Sequence, residues 1–182
     1  MGQMYFVRHG ETIWNIQNKI CGATDIALTE LGRSQAIKLG KHLAREMAEG
    51  NITIDEILYS PLKRAADTAH HISVITGVPA REEQRLKEQN FGRYESTPRD
   101  GEEFALAKMN FLNHFGNGET MMHLCQRIYN LLDEITAQEE KTYLLVAHNG
   151  IARAVHSYFY DMENEEFARF GIKNCELCKY KF

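Results

Sequence analysis

No stretch of this sequence approaches the roughly 20 consecutive apolar residues that a membrane-crossing helix needs. Nor does a charged segment lead into an apolar signal core at its start, where Met4-Tyr5-Phe6-Val7 reads directly as a strand. Lys/Arg blocks are missing and the formal net charge is -4, which excludes a basic field that would gather nucleic acid. The four cysteines (Cys21, Cys125, Cys175 and Cys178) are irregularly spaced, which argues against a disulfide framework and fits free thiols in a reducing compartment. Internal repeats, low-complexity tracts and linkers are also lacking. These absences predict a cytoplasmic protein without membrane or nucleic-acid partners. A homodimer fits such a chain, although no patch marks an interface.

What is present is ordinary globular usage, 43% hydrophobic and 25% charged over 182 residues. That length reads as one domain, with a core large enough to need no crosslinks. Strands are expected at Met4–Val7, Ile54–Tyr59, Tyr143–Ala147 and Glu176–Phe182. Thr29 is placed to cap a helix running to about Ala48, with Leu31, Ala36, Leu39, Leu43 and Met47 on its apolar face. Ser60-Pro61 predicts a second start, serine as cap and proline as first helical residue, with a helix ending near Gly77. Further helices are expected from about Thr120 to Gln138 and after His148-Asn149-Gly150. Strand–helix alternation predicts an α/β fold, a three-layer sandwich with a mostly parallel central sheet flanked by helices. The segment at about 95–118, helical around Glu102–Phe115, reads as a short lid-like insertion over the sheet edge.

Three strand-to-helix junctions carry chemistry. Arg8-His9-Gly10-Glu11-Thr12 follows the first strand, Ser60-Pro61-Leu62-Lys63-Arg64 the second, and His148-Asn149-Gly150 the last of the parallel set. In open α/β sheets ligands bind beyond the carboxyl ends of the strands, so these residues are expected over one crevice. The set suits a phosphoryl group. Arg8 and Arg64 would hold its oxygens. His9, kept neutral by the arginines, would attack phosphorus in line and form a phosphohistidine. A cationic His148 would add a further oxygen clamp, and the backbone N–H of Asn149 a donor at a helix start.

The pattern resembles the histidine phosphatase superfamily, the phosphoglycerate-mutase-like group. The likeness covers nearly the whole chain: Arg8-His9-Gly10-Glu11-Thr12 with Trp14-Asn15, Gly22 and Asp25, Leu28-Thr29-x-x-Gly32, and Ser60-Pro61-Leu62-x-Arg64-Ala65-x-x-Thr68-Ala69. It continues through Leu86-x-Glu88-x-x-Phe91-Gly92-x-x-Glu95, Gly118-Glu119-Thr120, and Val146-Ala147-His148-Asn149-Gly150-Ile151-x-Arg153. The resemblance implies His9 as the phosphorylated nucleophile, a phosphate pocket of Arg8, Arg64 and His148, Glu88 as general acid and base, and no metal or cofactor. It places Asn15, Gly22, Thr24 and Asn149 with the substrate. Ser96 stands where the family often has glycine, and Asn149 where glycine is common.

The resemblance spans phosphatases and mutases. Mutases of the group carry a basic and aromatic block after the catalytic glutamate, whereas Gln89–Pro98 has one arginine. An open, weakly basic pocket that admits water is therefore expected, and with it hydrolysis of small phosphomonoesters. Phe91, Tyr94, Met109, Phe111, Met121 and Met122 are candidates for an apolar mouth, but each taken alone is more often a residue that packs the insertion onto the sheet. A phosphoglycerate mutase is the alternative, and a non-catalytic phosphate-binding module the second. Cys175-x-x-Cys178 supplies too few ligands for a zinc site and reads as two structural thiols. His42, His70, His71, His114, His123 and His156 carry no partner pattern.

Overall fold

Met4-Tyr5-Phe6-Val7 is apolar at every position because both faces of its strand are covered. The computed structural model describes residues 2–182. In chain order the elements are β1 (Gln3–Arg8), α1 (Ile13–Ile16), α2 (Glu30–Ala48), β2 (Glu56–Tyr59), α3 (Lys63–Thr76), β3 (Ala80–Glu82), α4 (Glu102–Met109), α5 (Met121–Thr136), β4 (Tyr143–Ala147), α6 (Asn149–Phe159), α7 (Asn164–Arg169) and β5 (Leu177–Lys181). The strands form one sheet in the order β3-β2-β4-β1-β5, with the first four parallel and β5 antiparallel along β1.

The two-residue pleat sorts side chains between layers. Met4, Phe6, Leu58, Leu145 and Ala147 turn to one face, against Leu124 and Ile128 of α5 and Ile151 and Val155 of α6. Tyr5, Val7, Ile57, Leu144 and Val146 turn to the other, against Leu39 and Leu43 of α2 and Ala69 and Ile72 of α3. At about 1.5–3 kcal/mol per buried large apolar side chain, these two layers outweigh any single polar contact in the molecule. A third, smaller cluster of Ile20, Phe91, Tyr94, Phe104, Ala107 and Phe115 gives the 91–115 segment its own aromatic core. No helix among the described residues is long and apolar enough to cross a membrane.

Several elements differ from the sequence expectation. Helix α3 begins at Lys63, not at Pro61: Ser60 N–H still donates to Val146 O at 3.1 Å, so the sheet holds Ser60 in the strand ladder. Its cap position falls on Leu62, which has no side-chain cap, and Asp25 Oδ1 accepts from the Lys63 N–H at 2.8 Å instead. A carboxylate from another loop thus serves the helix dipole. Thr29 does cap α2, accepting from Gly32 N–H at 3.0 Å, but Leu31 is 55% exposed and off its apolar face. Helix α4 stops at Met109, short of Phe115. Strand β3 has three exposed residues and no apolar pattern, and α1 and α7 are single short turns of helix, so periodicity carries no signal for them. Cys175 and Cys178 pack into opposite layers of the sheet and are both free.

Candidate active site

Strands β1 and β4 run parallel and in register, with Arg8 beside Ala147. His9 N–H continues the ladder onto Ala147 O at 2.9 Å, so His9 and His148 leave the sheet side by side. Their ring centroids are 5.2 Å apart. His9 Nδ1 lies 2.7 Å from the Gly10 carbonyl, which can only accept. Nδ1 therefore carries the proton, and Nε2 keeps its lone pair. Burial, then Arg64, then Arg8 push the His9 pKa well below the usual histidine value. His148 is lowered in the same way, by burial, Arg64, His9 and Arg8. Without an anion beside it, this environment favours the neutral form of His148, as it does for His9. His148 Nε2 lies 2.7 Å from Ser60 Oγ at the end of β2, and its buried Nδ1 has no partner.

A hollow of about 60 Å³ opens beside these rings. Arg8, His9, Asn15, Glu88 and Asn149 line it, together with Cys21, Phe91, Phe104 and the cations Arg99, Lys108 and Arg153. Arg8 donates from Nη1 to Ile172 O at 2.7 Å and has an unpartnered Nε. Burial foremost, then Arg99, lowers its pKa to about 10. Asn15 Oδ1 accepts from Thr12 N–H and Oγ1 in the cap of α1, and Asn149 Oδ1 accepts from Ile172 N–H at 2.9 Å. The Cys21 thiol is raised to about 11, chiefly by burial, so it is not a reactive thiolate.

Glu88 is 5% exposed. Its carboxylate accepts from its neighbour Gln89 N–H and from Gly150 N–H, both at 2.9 Å, which seats it on the first turn of α6. A side chain at Gly150 would collide with that carboxylate.

Arg64, Gly22 and Thr24 lie behind the wall. Arg64 is fully buried and donates to Gly22 O at 2.8 Å and Thr24 O at 2.9 Å. The same loop is tied by Glu95, which accepts from the Gly22 and Ala23 N–H groups and from Thr24 Oγ1. Gly22 and Thr24 thus present their polar groups to Arg64 and Glu95.

The weakly basic pocket is corrected by the structure, whereas most of the candidates for an apolar mouth pack elsewhere. Of the six candidates for that mouth only Phe91 lines the hollow. Phe111, Met121 and Met122 line a separate groove, Tyr94 is buried in the aromatic cluster, and Met109 belongs to neither. The hollow instead receives Arg99 and Lys108 from the 95–118 segment and Arg153 from α6. Arg153 stands four residues after Asn149, on the same helix face, and that spacing could have singled it out. Arg99 and Lys108 sit in a segment with no period to point them inward. Among the described residues no cluster of three or more His, Cys, Asp or Glu side chains could hold a metal ion.

The model of the histidine phosphatase superfamily (branch 1) matches residues 4–182. The chain belongs to the histidine phosphatase superfamily. It is 30% identical to "Probable phosphoglycerate mutase GpmB" of Erwinia tasmaniensis, over 98% of the chain and 84% of that protein. The protein of the same name from Yersinia pestis is 31% identical over 100% of the chain and 86% of its own length. Among solved structures it is similar to a mycobacterial glucosyl-3-phosphoglycerate phosphatase complexed with VO3, with a TM-score of 0.83 and 24% identity, over 98% of the chain and 90% of that one. The fold of that phosphatase is therefore shared.

Proposed function

We propose that this member of the histidine phosphatase superfamily hydrolyses small phosphomonoesters through a phosphohistidine on His9, without a metal. The observation that carries this reading is the His9 Nδ1–Gly10 O bond, which leaves the lone pair on Nε2 of a ring that lines the hollow. In the first step Nε2 bonds to phosphorus as the ester P–O bond breaks, and Glu88 gives a proton to the leaving oxygen. Arg8, on the wall of the hollow, holds equatorial oxygens, where negative charge spreads, while the buried Arg64 adds positive charge and His148 packs beside His9, neither lining the hollow. In the second step Glu88 takes a proton from water, whose oxygen bonds to phosphorus as the P–N bond breaks. Inorganic phosphate leaves and His9 returns neutral. The hollow's small volume, about 60 Å³, favours small esters.

The test is hydrolysis of p-nitrophenyl phosphate with EDTA present, in the wild type and in His9→Ala. Turnover should survive EDTA, and His9→Ala should abolish both turnover and the acid-labile phosphoenzyme. Full activity in His9→Ala would overturn the mechanism, and loss of wild-type activity in EDTA would overturn the metal-free reading. A second reading, phosphoglycerate mutase, is favoured by the basic wall of Arg99, Lys108 and Arg153 and by the relatives' names. Coupled assays with and without a bisphosphoglycerate primer separate the two: a mutase rate above the hydrolysis rate selects the mutase.

A further inference from the structure

Two consecutive peptide groups after His9 are held from both ends by side chains that do not line the hollow. A peptide group is planar, with C=O and N–H pointing opposite ways, so a bond at one end aims the other. In the His9–Gly10 peptide the oxygen accepts from Asn174 Nδ2 at 2.8 Å, and the N–H donates to Thr68 Oγ1 at 3.0 Å. Thr68 gives its own proton to Arg64 O at 2.7 Å, which leaves its oxygen as the acceptor for Gly10. In the Gly10–Glu11 peptide the N–H donates to Gln35 Oε1 at 2.9 Å, and the oxygen is the one that accepts from His9 Nδ1. Gln35 lies on α2, Thr68 on α3 and Asn174 just before β5. The antiparallel pairing of β5 with β1 is followed by a bond from Cys175 N–H to Arg8 O at 2.9 Å, which brings Asn174 beside His9. Asn174 Nδ2 also lies 3.4 Å from Oδ1 of Asn15, on the wall of the hollow. A neutral imidazole carries its proton on either nitrogen, and only the Nδ1–H tautomer leaves Nε2 free to attack. Turning the Gly10–Glu11 peptide would take the Gly10 oxygen off Nδ1, and it would break the Gln35 bond.

We propose that Gln35, Thr68 and Asn174 are positioning residues for phosphoryl transfer: by clamping the two peptides after His9 they hold the Gly10 oxygen on Nδ1 and keep Nε2 as the attacking nitrogen. This deepens the phosphatase reading and rests on it for the role of His9. If the three bonds only satisfied backbone groups, losing them would cost stability and leave the His9 ring as it was. Thr68 is fully buried, whereas Gln35 and Asn174 are half-buried, so the last two can be truncated with the least disturbance to packing.

The experiment reads the His9 ring directly, by its two nitrogen-15 chemical shifts near pH 7.5 in phosphate-free buffer, alongside hydrolysis of p-nitrophenyl phosphate. In the wild type Nδ1 should fall in the range of a protonated ring nitrogen and Nε2 in that of one bearing a lone pair. Gln35→Ala and Asn174→Ala should each lower kcat about 2- to 10-fold, the worth of one hydrogen bond, with KM within about twofold. The double variant should lower kcat about 5- to 100-fold and draw the two shifts towards each other as the tautomers mix. Gln35→Glu keeps an acceptor for the Glu11 N–H and should hold the shifts apart. A protonated Nε2 in the wild type, shifts that stay apart in the double variant, or shifts that merge in Gln35→Glu overturn the clamp, whatever happens to stability or rate. If the double variant does not fold, the two single variants decide by the same shifts. If the wild type does not hydrolyse p-nitrophenyl phosphate, the phosphatase reading fails instead, and the ring shifts still decide the clamp.

Discussion

At Gly150 the absence of a side chain makes room for Glu88. The carboxylate occupies the space a Cβ would fill and accepts the Gly150 N–H. Gly150→Ala should therefore displace Glu88 without unfolding α6, since alanine is the better helix former. The expected result is a fall in kcat of about a hundredfold, within the range of a lost general acid, with an unchanged far-ultraviolet spectrum. A variant within threefold of wild type would mean that Glu88 does not act from this seat. The same residues show what could be read from sequence. His9 and His148 were legible because each follows an apolar strand, and the parallel register then puts them together. Glu88 lies in an irregular stretch after a single 3-10 turn, where nothing but likeness to a family separates it from other acids. Glu95 was legible only as part of a motif. Its task, gathering the N–H groups of the 22–24 loop under Arg64, depends on chain segments about 70 residues apart.

Among elements, the turn after the 3-10 turn Gly92–Tyr94 holds Ser96 at φ 67°, the left-handed region that favours glycine. The departure from the family's usual glycine thus leaves the backbone turn intact and makes a serine adopt it. Ser96 N–H still donates to Ile20 O at 2.9 Å, which ties the segment to the loop below. Ser96→Gly should relieve the left-handed strain and lose part of that gain to the freer unfolded chain, for a net stabilisation of about 0.5–1 kcal/mol. For a chain of this length the Tm should rise by about 1–4 °C by calorimetry. A fall in Tm would show that the serine side chain contributes more than the strain costs. Helix α2 offers the opposite sign. Thr29 Oγ1 accepts from Gly32 N–H and donates to Glu11 Oε1 at 2.9 Å, joining the α2 cap to the His9 loop. Thr29→Ala should cost about 1 kcal/mol in urea unfolding, the usual worth of a cap, and an unchanged midpoint would rule that role out. This cap was legible because threonine precedes a 3.6-residue pattern. The Asp25 cap of α3 was not, because no local spacing links Asp25 to Lys63.

For the whole molecule, the arrangement that keeps His9 ready for attack also sets a response to acid. Two histidines are buried side by side among arginines, and both are held well below the usual value near 6.5. In the unfolded chain they titrate near that value. Below pH 6.5 and above the folded-state pKa values, the unfolded state therefore binds more protons than the folded one. Stability then rises with pH in that window and is lost as pH falls through it. Each histidine contributes about 1.4 kcal/mol per pH unit once well below 6.5, so the pair approaches about 2.7 kcal/mol per unit. Against a total stability of about 5–15 kcal/mol, a descent of two units is a large fraction. Urea unfolding from pH 7.5 to 5.0, in buffer free of phosphate, should show this slope beginning near pH 6.5. His9→Asn, which cannot take up the proton, should remove about half of it. His156 is also lowered, chiefly by burial, and adds to the slope in the same direction, so the His9→Asn comparison isolates the site's share. An acid slope unchanged in His9→Asn would place the proton uptake elsewhere and remove the physical basis for a neutral nucleophile at this site.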